Sequence, residues 1–161
     1  MAGDKHATTR TELMGRFWLS NQLAQNRIEI ANPARDIGVD LIAYDMDLEW
    51  CLPIQLKVIN VGPLRVEAKY LGKNVGMVYV RLGEPEGGPA DRAETTAYLL
   101  TPEQAWELPV RIGRKVYPED TVYGFGGFPK TALAILETEF RVESGTWVER
   151  LSSLAPLVMA I

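Results

Sequence analysis

The sequence predicts an α/β fold, a three-layer sandwich around a mixed β-sheet. Two observations carry this expectation. The stretch from Gly38 to Ile59, GVDLIAYDMDLEWCLPIQLKVI, reads as two strands folded against each other. Val75 to Leu82 (VGMVYVRL) reads as a buried strand reached through a short crossover segment. A strand, crossover helix and strand in sequence form the parallel crossover unit, and helices before and after it place layers on one sheet.

Taken in order, the chain starts with a polar segment, residues 1–8, expected to be a flexible leader. Thr9-Arg10-Thr11-Glu12 fits the capping-box pattern, so a helix is expected from Thr9 to about Asn26. Leu13, Met14, Phe17 and Trp18 recur at helical spacing and are expected to face the core. Ile28 to Ala31 reads as a short strand, and Asn32-Pro33-Ala34-Arg35-Asp36 as a loop.

Val39 to Asp45 and Cys51 to Ile59 then form a hairpin. If Asp47-Leu48 is a two-residue turn, Met46 faces Glu49 and Asp40 faces Gln55. Side chains alternate along a strand, so Asp40, Gln55 and Lys57 share one face with Ile42, Tyr44 and Ile59. Val39, Leu41, Ala43, Leu52, Ile54, Leu56 and Val58 make the opposite, core-facing layer. A carboxylate, an amide and an ammonium on a mostly apolar face call for an explanation.

Beyond the hairpin, Val66 to Leu71 is ambiguous between helix and strand, and a helix ending near Gly72 suits the crossover. Gly83 to Arg92 (GEPEGGPADR) reads as an exposed loop. Thr95 to Thr101 reads as a strand, and Thr101-Pro102-Glu103-Gln104 as a strong helix start, running to about Leu108. Residues 110–122 read as irregular, with a strand at their end. Tyr123 to Pro129 (YGFGGFP) reads as a turn, since it lacks the lysine and hydroxyl placement of a phosphate-binding loop. Lys130 to Phe140 and Trp147 to Met159 are expected to be C-terminal helical additions.

Composition narrows the chemistry. A chain of 161 residues, 47% hydrophobic and 24% charged, is expected to be one globular domain spanning 1–161. A net charge of −4 argues against a non-specific nucleic-acid tether, while leaving room for a local basic cleft. Cys51 is the single cysteine and His6 the single histidine, so neither a disulfide framework nor a thiolate or imidazole metal centre is expected. Cys51 is expected to be a buried structural thiol. A metal would be held by oxygen ligands, which favours Mg²⁺ or Mn²⁺. No stretch is long and apolar enough to span a bilayer and no signal-peptide core is present, so no membrane partner and a cytoplasmic location are expected.

The spacing Asp40 … Gln55-Leu56-Lys57 resembles the motif of the PD-(D/E)xK nuclease superfamily, which has the restriction-endonuclease-like fold. Its core is a helix, a three-stranded meander, a crossover helix and a fourth strand, an order that matches Thr9 to Leu82. Glutamine stands where a second carboxylate is usual, as in Mrr-like and some intron-homing endonucleases, and Val39 stands where proline is usual. The resemblance implies metal-dependent hydrolysis of DNA. Asp40 and the Gln55 carbonyl would hold Mg²⁺ or Mn²⁺, Glu12 would complete the metal shell, and Lys57 would orient water or stabilise charge. Cutting a duplex takes two such sites, so a homodimer or higher homo-oligomer is expected.

Each candidate has a simpler account. Asp40 with Lys57 would otherwise be a cross-strand ion pair, Gln55 a satisfied sheet-face amide, and Glu12 a capping residue paired with Arg16. Asp36 would replace Asp40 if the register slips. Lys69 and Lys73 would contact phosphate or simply face solvent. Trp106, Trp147 and Tyr117 would stack on bases or fill the core. At the level of the whole protein, the alternative to an enzyme is a nucleic-acid- or protein-binding module that keeps the fold with a weakened site.

Overall fold

The computed structural model describes residues 5–35, 37–60, 65–83, 94–119, 121–124 and 129–155. The expected loop after Gly83, the centre of the glycine-rich segment (125–128), Asp36 and the end of the last expected helix (156–161) lie outside the described residues. Helix α1 (Lys5–Gln25) leads into strands β1 (Ile28–Ala31), β2 (Leu41–Asp45) and β3 (Cys51–Val58). Strand β4 (Arg65–Glu67) and a 3₁₀ turn (Ala68–Tyr70) precede β5 (Gly76–Arg81) and β6 (Thr96–Leu100). The remainder comprises α2 (Pro102–Arg111), β7 (Val122–Gly124), α3 (Lys130–Ile135) continuing into a π turn (Leu136–Phe140), and α4 (Trp147–Leu154).

The main sheet has the order β1-β2-β3-β5-β6, with β3 and β5 parallel and every other neighbouring pair antiparallel. This is the expected mixed sheet: a helix, a three-stranded meander, a crossover and a fourth strand, the element order of a restriction-endonuclease-like core. No helix among the described residues is long and apolar enough to cross a membrane.

The two faces of the sheet are each covered by helices. On one, Leu41, Ala43, Leu52, Ile54, Val78, Val80, Ala97 and Leu99 pack in one cluster with Leu19 and Leu23 of α1 and with Trp147 and Leu151 of α4. On the other, Met77, Tyr79, Tyr98 and Leu100 meet Ala105 and Leu108 of α2, Ala132 of α3, and Leu136 and Phe140. Strand β6 is buried at every position and β5 at all but Arg81. Such strands lose the alternating pattern of a half-exposed strand and read as continuous apolar runs.

Several expectations are corrected. Helix α1 begins at Lys5, so residues 5–8 are helical rather than leader and Thr9 sits inside the helix, not at a capping box. Its buried stripe is Gly15, Leu19 and Leu23, whereas Leu13, Met14 and Phe17 are exposed and only Trp18 of the expected set packs inward. Gly15 decides this face: a Cβ there would come within 2.3 Å of Val58 Cγ2, so glycine alone lets the helix lie this close to β3. The crossover carries β4 and a 3₁₀ turn instead of an α-helix, because β4 pairs with the distant β7. Helix α4 ends at Leu154, and the expected Lys130–Phe140 helix changes to π geometry at Leu136. Cys51 is exposed at the start of β3, not buried.

The buried tyrosines make an alkaline prediction. Burial first, and then its 2.6 Å bond to Glu137, pushes the Tyr98 hydroxyl up to about 12. Tyr79, completely buried and without a hydrogen-bond partner among the described residues, is pushed up by burial as well. Both phenols are held neutral by the fold, so the unfolded chain releases these protons first. Their contribution to stability is intact below a pH of about 10 and is lost as pH rises from there through the folded-state values. Spectrophotometric titration with parallel circular dichroism is expected to show two phenols ionising only together with unfolding.

Candidate active site

The hairpin brings the site together. Its register pairs Leu41 with Ile54 and Ala43 with Leu52, the same register that a turn at Asp47-Leu48 implies. The connection differs: Met46 to Glu49 form a four-residue loop with Leu48 in the left-handed region, at φ 57°. That keeps the same parity, so no side chain changes face.

Asp40 lies just ahead of β2, its backbone N–H donating to Ile54 O at 2.8 Å. Its Oδ2 accepts two bonds, from the Leu56 backbone N–H at 2.7 Å and from Gln55 Nε2 at 2.6 Å. Gln55 is buried, and its Oε1 accepts from the Tyr70 hydroxyl at 2.5 Å. That hydroxyl also lies 2.6 Å from Gly38 O. A polar chain therefore runs Gly38, Tyr70, Gln55, Asp40. Burial raises the Tyr70 phenol above its ordinary value, the Lys69 ammonium opposing this, so the hydroxyl acts as a neutral donor at physiological pH.

Asp40, Gln55 and Lys57 line a cleft of about 420 Å³ shared with Glu12 and Arg16 of α1 and Arg65 of β4. The cross-strand ion pair that would be the simpler account of Asp40 and Lys57 does not form. Among the described residues the Lys57 ammonium makes no ion pair, and neither does the exposed Arg65 guanidinium. Arg16 is engaged, donating to Asn32 Oδ1 and, at 2.9 Å, to Asp40 O, so it holds the strand that carries the carboxylate. Glu12 is exposed on the α1 wall and makes no ion pair with Arg16, which removes both of its simpler accounts. A protein of net charge −4 thus gathers three cationic side chains around one cleft. Among the described residues none of the three has a carboxylate partner; Arg16 is held by Asn32 and by the Asp40 backbone oxygen.

The remaining candidates fall elsewhere. Lys69 is paired with Glu67 at 2.7 Å and sits over the Tyr70 ring, 5.0 Å from its centroid. Lys73 is exposed on the following turn. Trp147 is buried in the cluster on the α1 and α4 face and Trp106 is partly buried against the cluster on the opposite face, so neither is placed to stack on a base; Tyr117 is exposed outside the cleft. Two site residues were not foreseen. Arg65 directly precedes the Val66–Leu71 stretch that is ambiguous between helix and strand, and a lone tyrosine such as Tyr70 within it carries no signal of a site.

The donor set in the cleft is all oxygen, which suits a hard cation. Among the described residues no three histidine, cysteine or acidic side chains gather as a ready metal cluster. Asp40 and Glu12 are the carboxylates of the cleft, while Gln55 turns its N–H, not its carbonyl, toward Asp40.

No family model and no curated protein matches the chain. Among solved structures it is similar to Hjc, a Holliday junction resolvase of the archaeal hyperthermophile Archaeoglobus fulgidus. The identity is 10% and the TM-score 0.42, over 82% of this chain and 98% of that one.

Proposed function

We propose that this protein is a Mg²⁺- or Mn²⁺-dependent DNA endonuclease. One observation supports it above the rest: Lys57 stands in the cleft beside Asp40 without being neutralised by it. A structural pair would have been satisfied across the strands. Asp40, the Gln55 carbonyl and Glu12 would hold the cation, whose chemistry is to activate a water and neutralise charge on the phosphate. The Lys57 ammonium stabilises negative charge developing on a phosphate oxygen, a role that gains strength in a partly water-excluded cleft. Arg65, exposed at the rim, meets a backbone phosphate and positions the substrate. A working unit that cuts both strands is a homodimer or higher homo-oligomer, here taken to act in the cytoplasm.

The test is nicking of supercoiled plasmid with Mg²⁺ or Mn²⁺. Lys57→Ala is expected to lower the rate by about 10²–10³-fold, and Arg65→Ala to weaken binding and flatten its salt dependence by about one phosphate's worth. Unchanged metal-dependent cleavage by a folded Lys57→Ala protein sinks the reading. A second reading, a binding module without catalysis, is favoured by the neutral Gln55 and its N–H bond to Asp40. Calorimetry that detects no binding of either ion decides for it.

A further inference from the structure

Gln55 is gripped at both ends of its amide, and the two grips differ in kind. Its Nε2 donates to Asp40 Oδ2 at 2.6 Å and reaches Leu56 O at 3.3 Å. An ionised carboxylate only accepts, so without a cation the N–H end is the end that suits Asp40. The other end faces Tyr70, whose hydroxyl lies 2.5 Å from Gln55 Oε1 and 2.6 Å from Gly38 O. A phenol has one hydrogen and an accepting oxygen. It gives that hydrogen to Gln55 Oε1, or gives it to Gly38 O and accepts an N–H instead. Tyr70 therefore satisfies the Gln55 amide in either orientation.

Gly38 is built for this approach. Its φ of +83° is a left-handed conformation that favours glycine, and a Cβ would come within 2.4 Å of the Tyr70 oxygen. The hydroxyl thus sits between two acceptors with nothing to push it off either one.

The geometry points to Tyr70 as a positioning residue that lets Gln55 turn its amide when a divalent cation arrives. This inference rests on the metal-dependent reading above. In the cation-free protein the N–H of Gln55 occupies the position beside Asp40. With Mg²⁺ or Mn²⁺ present, the amide turns its carbonyl to the cation, and Tyr70 takes up the N–H while donating to Gly38 O. One N–H bond passes from Asp40 to Tyr70 and the carbonyl exchanges the Tyr70 hydroxyl for the cation, at the cost of the longer 3.3 Å contact to Leu56 O.

The test is a double-mutant cycle on Mn²⁺ affinity, measured by calorimetry. Tyr70→Phe keeps the ring in the core and removes only the hydroxyl, and is expected to weaken binding about 3- to 10-fold, the equivalent of one hydrogen bond. Gln55→Glu replaces the amide with a group that has no N–H end. In that background Tyr70→Phe is expected to change affinity less than about twofold, since the coupling is gone. A purely structural tyrosine gives the same change in both backgrounds, and that result overturns the proposal. Wild-type protein gives an independent readout by NMR: the Gln55 side-chain amide signals are expected to shift on adding Mg²⁺. Signals that stay put while the ion binds overturn it as well. A wild type that binds neither ion defeats the metal-dependent reading itself, a distinguishable outcome.

Discussion

Asp40→Asn is expected to abolish metal-dependent cleavage while leaving the protein folded. The asparagine keeps an oxygen for the Leu56 N–H, now met by Asp40 at 2.7 Å, but removes the charge that a hard cation needs. A bound cation contributes several kcal/mol to phosphoryl chemistry, so the loss is expected to reach about 10³-fold or more. Asp40→Ala is a poorer variant, because it strands a part-buried backbone N–H at a cost of about 1–3 kcal/mol. Plasmid nicking and ion calorimetry on Asp40→Asn are the measurements. Cleavage within roughly tenfold of wild type would remove Asp40 from the catalytic centre.

Trp147→Ala carries the largest expected loss of stability. Its side chain is 1% exposed, the first residue of α4, in the cluster that α1 and the sheet also enter. Truncating a buried tryptophan leaves a cavity and costs about 3–5 kcal/mol, a large share of the roughly 5–15 kcal/mol that holds a domain together. Thermal unfolding is expected to shift down by roughly 10 °C. Because Trp147 lies outside the cleft, activity per folded molecule should be unchanged. A fall in activity with stability intact would instead assign this tryptophan to the substrate.

The parts of the site that were legible were those written in a short period. Alternation of two fixed the faces of β2 and β3, and that placed Asp40, Gln55 and Lys57 together. The loop at Leu48 was hidden, since a leucine at positive φ has no local signature. Along helix α1 two apolar stripes compete for the sheet. The choice between them depends on Gly15 against Val58, a contact between distant residues. Strand β4 was missed for the same reason, its partner being β7. Tyr70 and Arg65 follow from that crossover and stayed hidden with it. The Thr9–Glu12 pattern was a true motif in the wrong place, a capping box overridden by a helix that starts earlier.

Strand β3 has one further consequence. It pairs Gln55 with Met77 and Lys57 with Tyr79 of β5, while its pairing with β2 runs from Cys51 to Ile54. Their partner strand is buried at every position but Arg81, so the amides of these residues should be among the slowest to exchange with solvent deuterium, opening only with global unfolding. The proposed catalytic face of this molecule is therefore anchored to its most persistent segment. Local breathing at the termini or along the exposed β1 edge leaves the spacing of Asp40, Gln55 and Lys57 intact.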